Sequence, residues 1–442
     1  MRTKAEINND GWFGIVPPRW RMVPLKSLFS FNKGLSITKE DLLDSGVPVV
    51  SYGQIHSRDN NCVDISNTQL RFVADSLAYS APKAKLNQNG FAFADTSEDL
   101  DGCGNCVRIG NDLLNVFGGY HTIVLNPKCV FNSKFLAYAF MTDSWRWQIR
   151  RDLVDVKLFS VNQENLSETY VVLPPEKTQE QIVSYLDERC AAIDNDIARR
   201  REVIAKLREY RKSIITKAIT NGLNPEVKMK DSGVEWIGLI PSAWKTTKIK
   251  SLFEIKKRIA GREGLTVLSI TQDGIKPKDF STGKGQFAQS YAHYQLVFPG
   301  EFAMNHMDLL TGWIDISSYE GVTSPDYRVF AIRDRDVCEP RYFRYLFQMC
   351  YTNKVFFGHA NGVADKGRMR LQTDAFKNFV VPFPEIAEQS LIADYLDERC
   401  AAVDSVIMKQ EQLIEKLCEY RKSIIHHAVT GKIDCSKGAV NA

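Results

Sequence analysis

Along two stretches of the chain, apolar residues recur at helical intervals. Within residues 178–220 they fall at Leu186, Cys190, Ile193, Ile197, Ile204, Leu207 and Ile214. The same frame returns later as Leu396, Cys400, Val403, Ile407, Ile414, Leu417 and Ile424. Steps of three, four and seven make a heptad-like seam, the pattern of a helix that packs lengthwise on another helix. No proline or glycine interrupts residues 178–220, and Asn221-Gly222 and Gly431 supply stop signals. The pattern predicts two helices of about 35–40 residues, rods of roughly 55 Å at about 1.5 Å per residue. Arg200 and Gln410 interrupt the seam at equivalent places, as do Arg211 and Arg421. Such a seam also suits a helix packed on its own domain. The narrowness of both seams, and outer faces as charged as Arg199, Arg200 and Arg201, favour an antiparallel coiled coil formed by the two helices.

The shared frame is part of a longer internal repeat. Tyr185–Ala192 and Tyr395–Ala402 both read YLDERCAA, and Glu209–Ile215 and Glu419–Ile425 both read EYRKSII, each at an offset of 210. An opening motif is repeated as well. Trp12–Trp20 parallels Trp236–Trp244, and Lys26–Phe29 parallels Lys250–Phe253, at an offset of 224. Residues 30–170 and 254–378 show little resemblance to each other by eye. The chain therefore reads as a duplicated module with a constant frame and a changed insert.

The variable blocks alternate short β-like runs with turns. Val47–Tyr52, Thr122–Leu125, Thr266–Ile270 and Arg328–Ile332 are strand candidates. Lys134–Ile149 and Arg341–Tyr351 read as helices. The fold class expected is α+β: two mixed α/β domains separated by two long helices pairing as an antiparallel coiled coil, with a pseudo-twofold internal repeat. The expected divisions are an opening segment (1–20), a first block (21–172), a helical spacer (173–222) and a linker with the second opening motif (223–244). A second block (245–381), a distal helical spacer (382–431) and a tail (432–442) follow.

Composition narrows the function. Hydrophobic residues at 44% and charged residues at 25% exclude a disordered or collagen-like chain. No run approaches the roughly 18–20 apolar residues of a membrane helix, and the N-terminus lacks a signal-peptide core, so a cytoplasmic protein with no membrane partner is expected. The net charge of +4 carries little weight by itself, because nucleic-acid binders often cluster their basic residues. Cys103-Gly-Asn-Cys106 stands alone, whereas a structural zinc needs about four ligands, so it reads as a loop with two thiols and no metal site.

Catalytic signatures are missing. There is no phosphate-binding GxxxxGK[ST] loop, no Asn-Pro-Pro-aromatic run and no GxSxG elbow. Aromatic, amide and basic residues do gather in the expected loops. The first block offers Tyr52, Gln54, His56, Arg58, Tyr120, His121 and Lys157. The second offers Gln272, Lys276, Lys278, His306, Asn361, Lys366, Arg368 and Arg370. Arg and Lys suit phosphates and guanine edges, and Asn and Gln suit adenine edges. Residues of these types in loops also serve as plain solvated surface. Gly362–Arg370, with two glycines and three cations, is the best single run.

The duplicated opening motif, the duplicated helix, and the approaches Pro174–Ile182 and Pro384–Gln389 together resemble the specificity (S) subunit of type I restriction–modification systems. The resemblance spans essentially the whole chain. It implies two target recognition domains, each reading half of a split, asymmetric site in double-stranded DNA, and paired helices that set the gap. It further implies docking of two methyltransferase (M) subunits, which carry S-adenosylmethionine, and of up to two restriction (R) subunits, which use ATP and Mg. No cofactor and no catalysis would belong to this chain itself. Serving a type II methyltransferase–nuclease fusion, standing as an unpartnered decoy, and acting as a coiled-coil scaffold are the alternatives.

Overall fold

The computed structural model describes residues 16–58, 60–110, 113–151, 153, 158–280, 288–360 and 369–436. The chain forms two compact units. One combines residues 1–200 with 412–442, and the other holds residues 201–411. The boundary falls inside both long helices.

In the first unit, strand Arg21–Pro24 pairs antiparallel with Tyr170–Leu173, so the start and end of the block are stitched together. One helical turn, Leu25–Leu28, leads into Phe29–Lys33, the edge of a four-stranded sheet. Phe29–Lys33 pairs with Thr122–Pro127, which pairs with Phe91–Ala94, which pairs with Cys106–Arg108, all antiparallel. In the second unit Lys245–Lys248 pairs with Val380–Phe383. The turn Ile249–Leu252 leads into Phe253–Lys256, followed across the sheet by Arg328–Ile332, Phe302–Met304 and Ile314–Ile316. Counted in chain order, both sheets run first, fourth, second, third. The blocks that look unrelated in sequence thus share one sheet.

Aromatic packing fills both sheets. Phe29 meets Phe91 edge-on, and Phe253 meets Phe302 edge-on. Phe140 and Trp145 close the first core, and Phe343 and Phe347 the second. The blocks differ outside this frame. The first adds a three-stranded sheet of Arg71–Val73, Val47–Val50 and Phe117–Gly118. The second adds the hairpin Leu268–Thr271/Gly274–Pro277 and the pair Gln295–Val297/Gly321–Thr323.

The helix expected over Lys134–Ile149 is two helices, Ser133–Phe140 and Asp143–Arg150. Thr142 breaks it. Its backbone is extended, with ψ of 142°, and its hydroxyl donates to the Ala139 carbonyl. A β-branched residue that bonds its own backbone favours such a break over helix continuation. Pro340–Thr352 is a single helix.

The long helices span Glu176–Asn221 and Ile386–Val429, 46 and 44 residues. At about 1.5 Å per residue each is roughly 65–70 Å long, more than the seam alone suggested. In the first unit Leu186, Cys190, Ile193 and Ile197 share a core with Ile424, Ile425, Ala428 and Val429, and half-buried Ile414 and Leu417 pack on it. In the second, Ile215, Ala218 and Ile219 share a core with Ile392, Leu396 and Cys400. Ile204, Val403 and Ile407 are buried, and Leu207 is half-buried. Arg211 and Arg421, the equivalent arginines that interrupt the seam, are both paired with the facing helix. Arg421 Nε lies 3.1 Å from Asp194, and Arg211 Nε lies 3.0 Å from Asp404. Arg208 adds an ion pair with Glu411 at 3.0 Å. In each unit lower numbers on one helix meet higher numbers on the other, so the pairing is antiparallel.

The opening motifs close the helix ends. Gly222 and Gly431, just past the helices, have φ of 74° and 72°, the left-handed cap that glycine tolerates. The Pro241–Trp244 turn packs over Gly222, and Trp244 donates from Nε1 to Glu388 at 2.8 Å. The Pro17–Trp20 turn packs over Gly431 in the same way.

Candidate nucleic-acid interface

In the first unit the capping turn Ser51–Ile55 presents Tyr52, Gln54 and, one residue on, His56. Gln54 accepts the Ser51 backbone N–H at 3.0 Å, so its carbonyl oxygen is already engaged in the cap. The ring of Tyr52 lies 4.4 Å from that of His56 and 6.4 Å from that of His121. Tyr120 joins them, since the Tyr52 backbone N–H donates to the Tyr120 carbonyl. His121 adopts φ of 54° and sets its Nδ1 3.1 Å from the Asp95 carboxylate. His56 Nε2 lies 3.1 Å from the Thr96 carbonyl, which favours a proton on that nitrogen.

Four of the expected residues and a carboxylate thus form one aromatic, hydrogen-bonding cluster. Partial burial, then Glu98 and Asp99, push the Tyr52 hydroxyl's pKa up and keep it a donor. With carboxylates so near, the cluster suits the amino edges of bases better than phosphate oxygens. Arg58 is exposed close by in sequence. Lys157 lies outside the described residues.

The second unit spreads its candidates more widely. Gln272 sits in the turn of the Leu268–Pro277 hairpin, and Lys276 lies on its second strand; both are exposed. A cleft of about 610 Å³ opens beside this hairpin, lined by Thr271, Lys278, Tyr294, Asn305, Thr323 and Tyr327 among others. Thr323 Oγ1 is buried there with no hydrogen-bond partner.

His306, expected in a loop surface, is 6% exposed. Burial first, then Arg328 and Arg370, hold its pKa down at about 3, so the ring is neutral. The burial follows from its position after the central strand Phe302–Met304, and it removes the ring from a surface-reading role. Arg370 is half-buried beside it. Arg328 reaches the Leu371 carbonyl at 3.0 Å and lies over the Phe376 ring. Asn361, Lys366 and Arg368, the heart of the glycine-flanked basic run, lie outside the described residues.

Cys106 of the CxxC finds its partner in Cys62, 3.0 Å away between sulfurs, whereas Cys103 faces the Asp99 carbonyl. Among the described residues no group of acidic, histidine and cysteine side chains could hold a metal ion. No helix among them is long and apolar enough to cross a membrane.

Sequence reasoning missed a pair of polar clamps at the base of each block. Asp187 accepts from Lys134 at 2.8 Å and from the Tyr138 hydroxyl at 2.7 Å. Asp397 accepts from Arg341 and Arg344 at 2.9 Å and from the Tyr345 hydroxyl at 2.7 Å. Beside each clamp a glutamine does double duty. Gln179 accepts the Asn132 N–H and donates to the Pro174 carbonyl, and Gln389 accepts the Glu339 N–H and donates to the Pro384 carbonyl. The signal was available, because both aspartates sit in YLDERCAA and both tyrosines in a cation-x-x-x-Tyr-x-Phe pattern at Lys134–Phe140 and Arg341–Phe347.

Residues 17–203 match a family described as the type I restriction modification DNA specificity domain. The chain is 21% identical over 432 residues to a putative type I restriction enzyme MjaX specificity subunit of Methanocaldococcus jannaschii, covering 95% of each chain. It is 20% identical over 340 residues to the type I restriction enzyme EcoBI specificity subunit of Escherichia coli, covering 70% of this chain and 68% of that one. A solved structure described under "Structural basis underlying complex assembly and conformational transition of the type I R-M system" superposes with a TM-score of 0.67 at 15% identity. That match covers 95% of this chain and 100% of that one, and it shows the fold.

Proposed function

We propose that the chain is a specificity subunit of a type I restriction–modification system, and that each block reads one half of a split, asymmetric site in double-stranded DNA. The paired helices set the gap between the halves. The observation that carries this reading is the duplicated sheet. The same four strands return in the same order, while the loops and added strands on them differ. A constant frame with changed reading surfaces is what two different half-sites require.

In the first block the cluster of Tyr52, His56, Tyr120 and His121 is the base-reading candidate, with Arg58 toward the phosphates. In the second, Gln272, Lys276 and the cleft beside their hairpin take that part, with Arg370 at the described edge of the basic run. The helices dock two M subunits, which supply S-adenosylmethionine and methylate adenine, and the assembly accepts up to two R subunits with ATP and Mg. This chain binds and positions, works in the cytoplasm, and performs no chemistry.

Long-read methylation mapping in a host expressing this chain with its neighbouring methyltransferase tests the reading. A split motif with N6-methyladenine on both strands is expected, absent when this chain is omitted. A chain lacking residues 200–206, one heptad of the first long helix, should keep both half-sites and change or lose the gap. Methylation that is indifferent to the chain sinks the proposal.

A further inference from the structure

The clamps tie each block to its long helix through directional bonds. Apolar packing alone tolerates sliding and tilting, because dispersion contacts have little angular preference. Hydrogen bonds weaken steeply once bent, and charge-assisted ones are the strongest. At Asp187 one oxygen takes Lys134 Nζ and the other takes the Tyr138 hydroxyl. At Asp397 one oxygen takes Arg341, and the other takes Arg344 and the Tyr345 hydroxyl. Each carboxylate is thus held from two sides by the helix that backs its sheet.

Both tyrosines are buried, and burial followed by the aspartate hydrogen bond raises both hydroxyl pKa values, so each stays a proton donor. The aspartates keep over a third of their side-chain surface exposed, so the ion pairs add little stability. Their geometry is the part that matters. The first clamp also runs inward. Lys134 reaches Asp64, and Asp64 meets Arg108, which sits in the sheet and bonds the Ser133 hydroxyl.

We propose that Asp187 with Tyr138 and Lys134, and Asp397 with Tyr345, Arg341 and Arg344, are positioning residues that fix the tilt of each block on its long helix and thereby the gap length the protein accepts. The proposal rests on the DNA-reading function above. A block of about 150 residues has a radius of gyration near 15 Å, which places its far edge roughly 30 Å from the clamp. A tilt of about 6° moves that edge by about 3 Å, close to one base-pair step of DNA. Small angular freedom at the clamp therefore turns directly into tolerance for a gap one base pair too long or too short.

The test uses the full chain with its methyltransferase subunits. Pulsed-EPR labels at exposed Glu320 and Lys409, introduced as unnatural amino acids, report the position of the second block against its helix. Binding is measured on duplexes carrying the mapped site with the gap matched, shortened or lengthened by one base pair. Asp397→Asn and the milder Tyr345→Phe should broaden the label distance distribution while leaving the melting temperature close to wild type. Affinity for the matched gap should hold, and preference for it should fall about tenfold, the size expected on losing a charge-assisted hydrogen bond. An unchanged distance distribution, or a broadened one with gap preference intact, overturns the proposal. If the distribution broadens and the wild-type complex shows no preference for any split site, the hold on the block stands and the DNA reading falls. Tyr345→Phe removes one hydroxyl only, so it keeps the test open should Asp397→Asn fold poorly.

Discussion

Three cationic or ionisable residues lie together inside the second block. Arg328 is 4% exposed, with burial bringing its pKa down to about 10, and His306 and Arg370 stand beside it. Among the described residues no carboxylate is hydrogen-bonded to Arg328; it is held by the Leu371 carbonyl, Thr373 and the Phe376 ring. Burial first, and then the positive charge already there, keep His306 neutral. The folded pKa of about 3 lies below the ordinary 6.5, so the unfolded chain takes up the proton first as pH falls. Stability is full above about pH 6.5 and declines toward pH 3, by up to about 1.4 kcal/mol per pH unit. Urea denaturation at pH 7, 6 and 5 should show a shallower decline for His306→Gln than for wild type. Equal slopes would place His306 in contact with solvent.

The elements differ in how far the sequence disclosed them. The long helices were legible because a seam of seven apolar residues, repeated at a fixed offset, leaves few alternatives to a paired helix. The shared sheet was hidden. Its strands are three to six residues long, and only their apolar, buried character is common, as where Phe91 faces Leu125 in one sheet and Phe302 faces Phe330 in the other. Loops of different length then shift every register. The candidate cluster of the first block was partly legible, since Tyr52, Tyr120 and His121 were picked by type and the fold brings them together. His306 was not, because burial depends on which strand end lies over the core.

The helix ends carry the other element-scale expectation. A Cβ on Gly431 would lie 2.4 Å from Pro17 and 3.1 Å from the Trp20 ring, at φ of 72°. Gly431→Ala should cost on the order of 1–3 kcal/mol through backbone strain and displaced packing. At Gly222 the nearest contacts are looser, 3.2 Å, so Gly222→Ala should cost less. Thermal unfolding of the two variants ranks them, and the reverse order would contradict the packing of the first opening motif.

The whole molecule is a duplication in which each unit takes part of both long helices. The linker after Gly222 leads from one helix end to the Pro241–Trp244 turn that covers it. At the other helix end the covering turn, Pro17–Trp20, belongs to the opposite end of the chain. Pro17 and Ser436 line the same groove of about 430 Å³. The segments that carry Pro17 and Ser436 therefore lie close enough within the first unit for a short linker to join them. A chain reopened in residues 223–228, with the segments flanking Pro17 and Ser436 joined, retains every contact described in both units. Such a permutant should unfold within a few degrees of the parent and select the same DNA. Which linker joins the two units is then a matter of connectivity, and either choice leaves the architecture of each unit untouched.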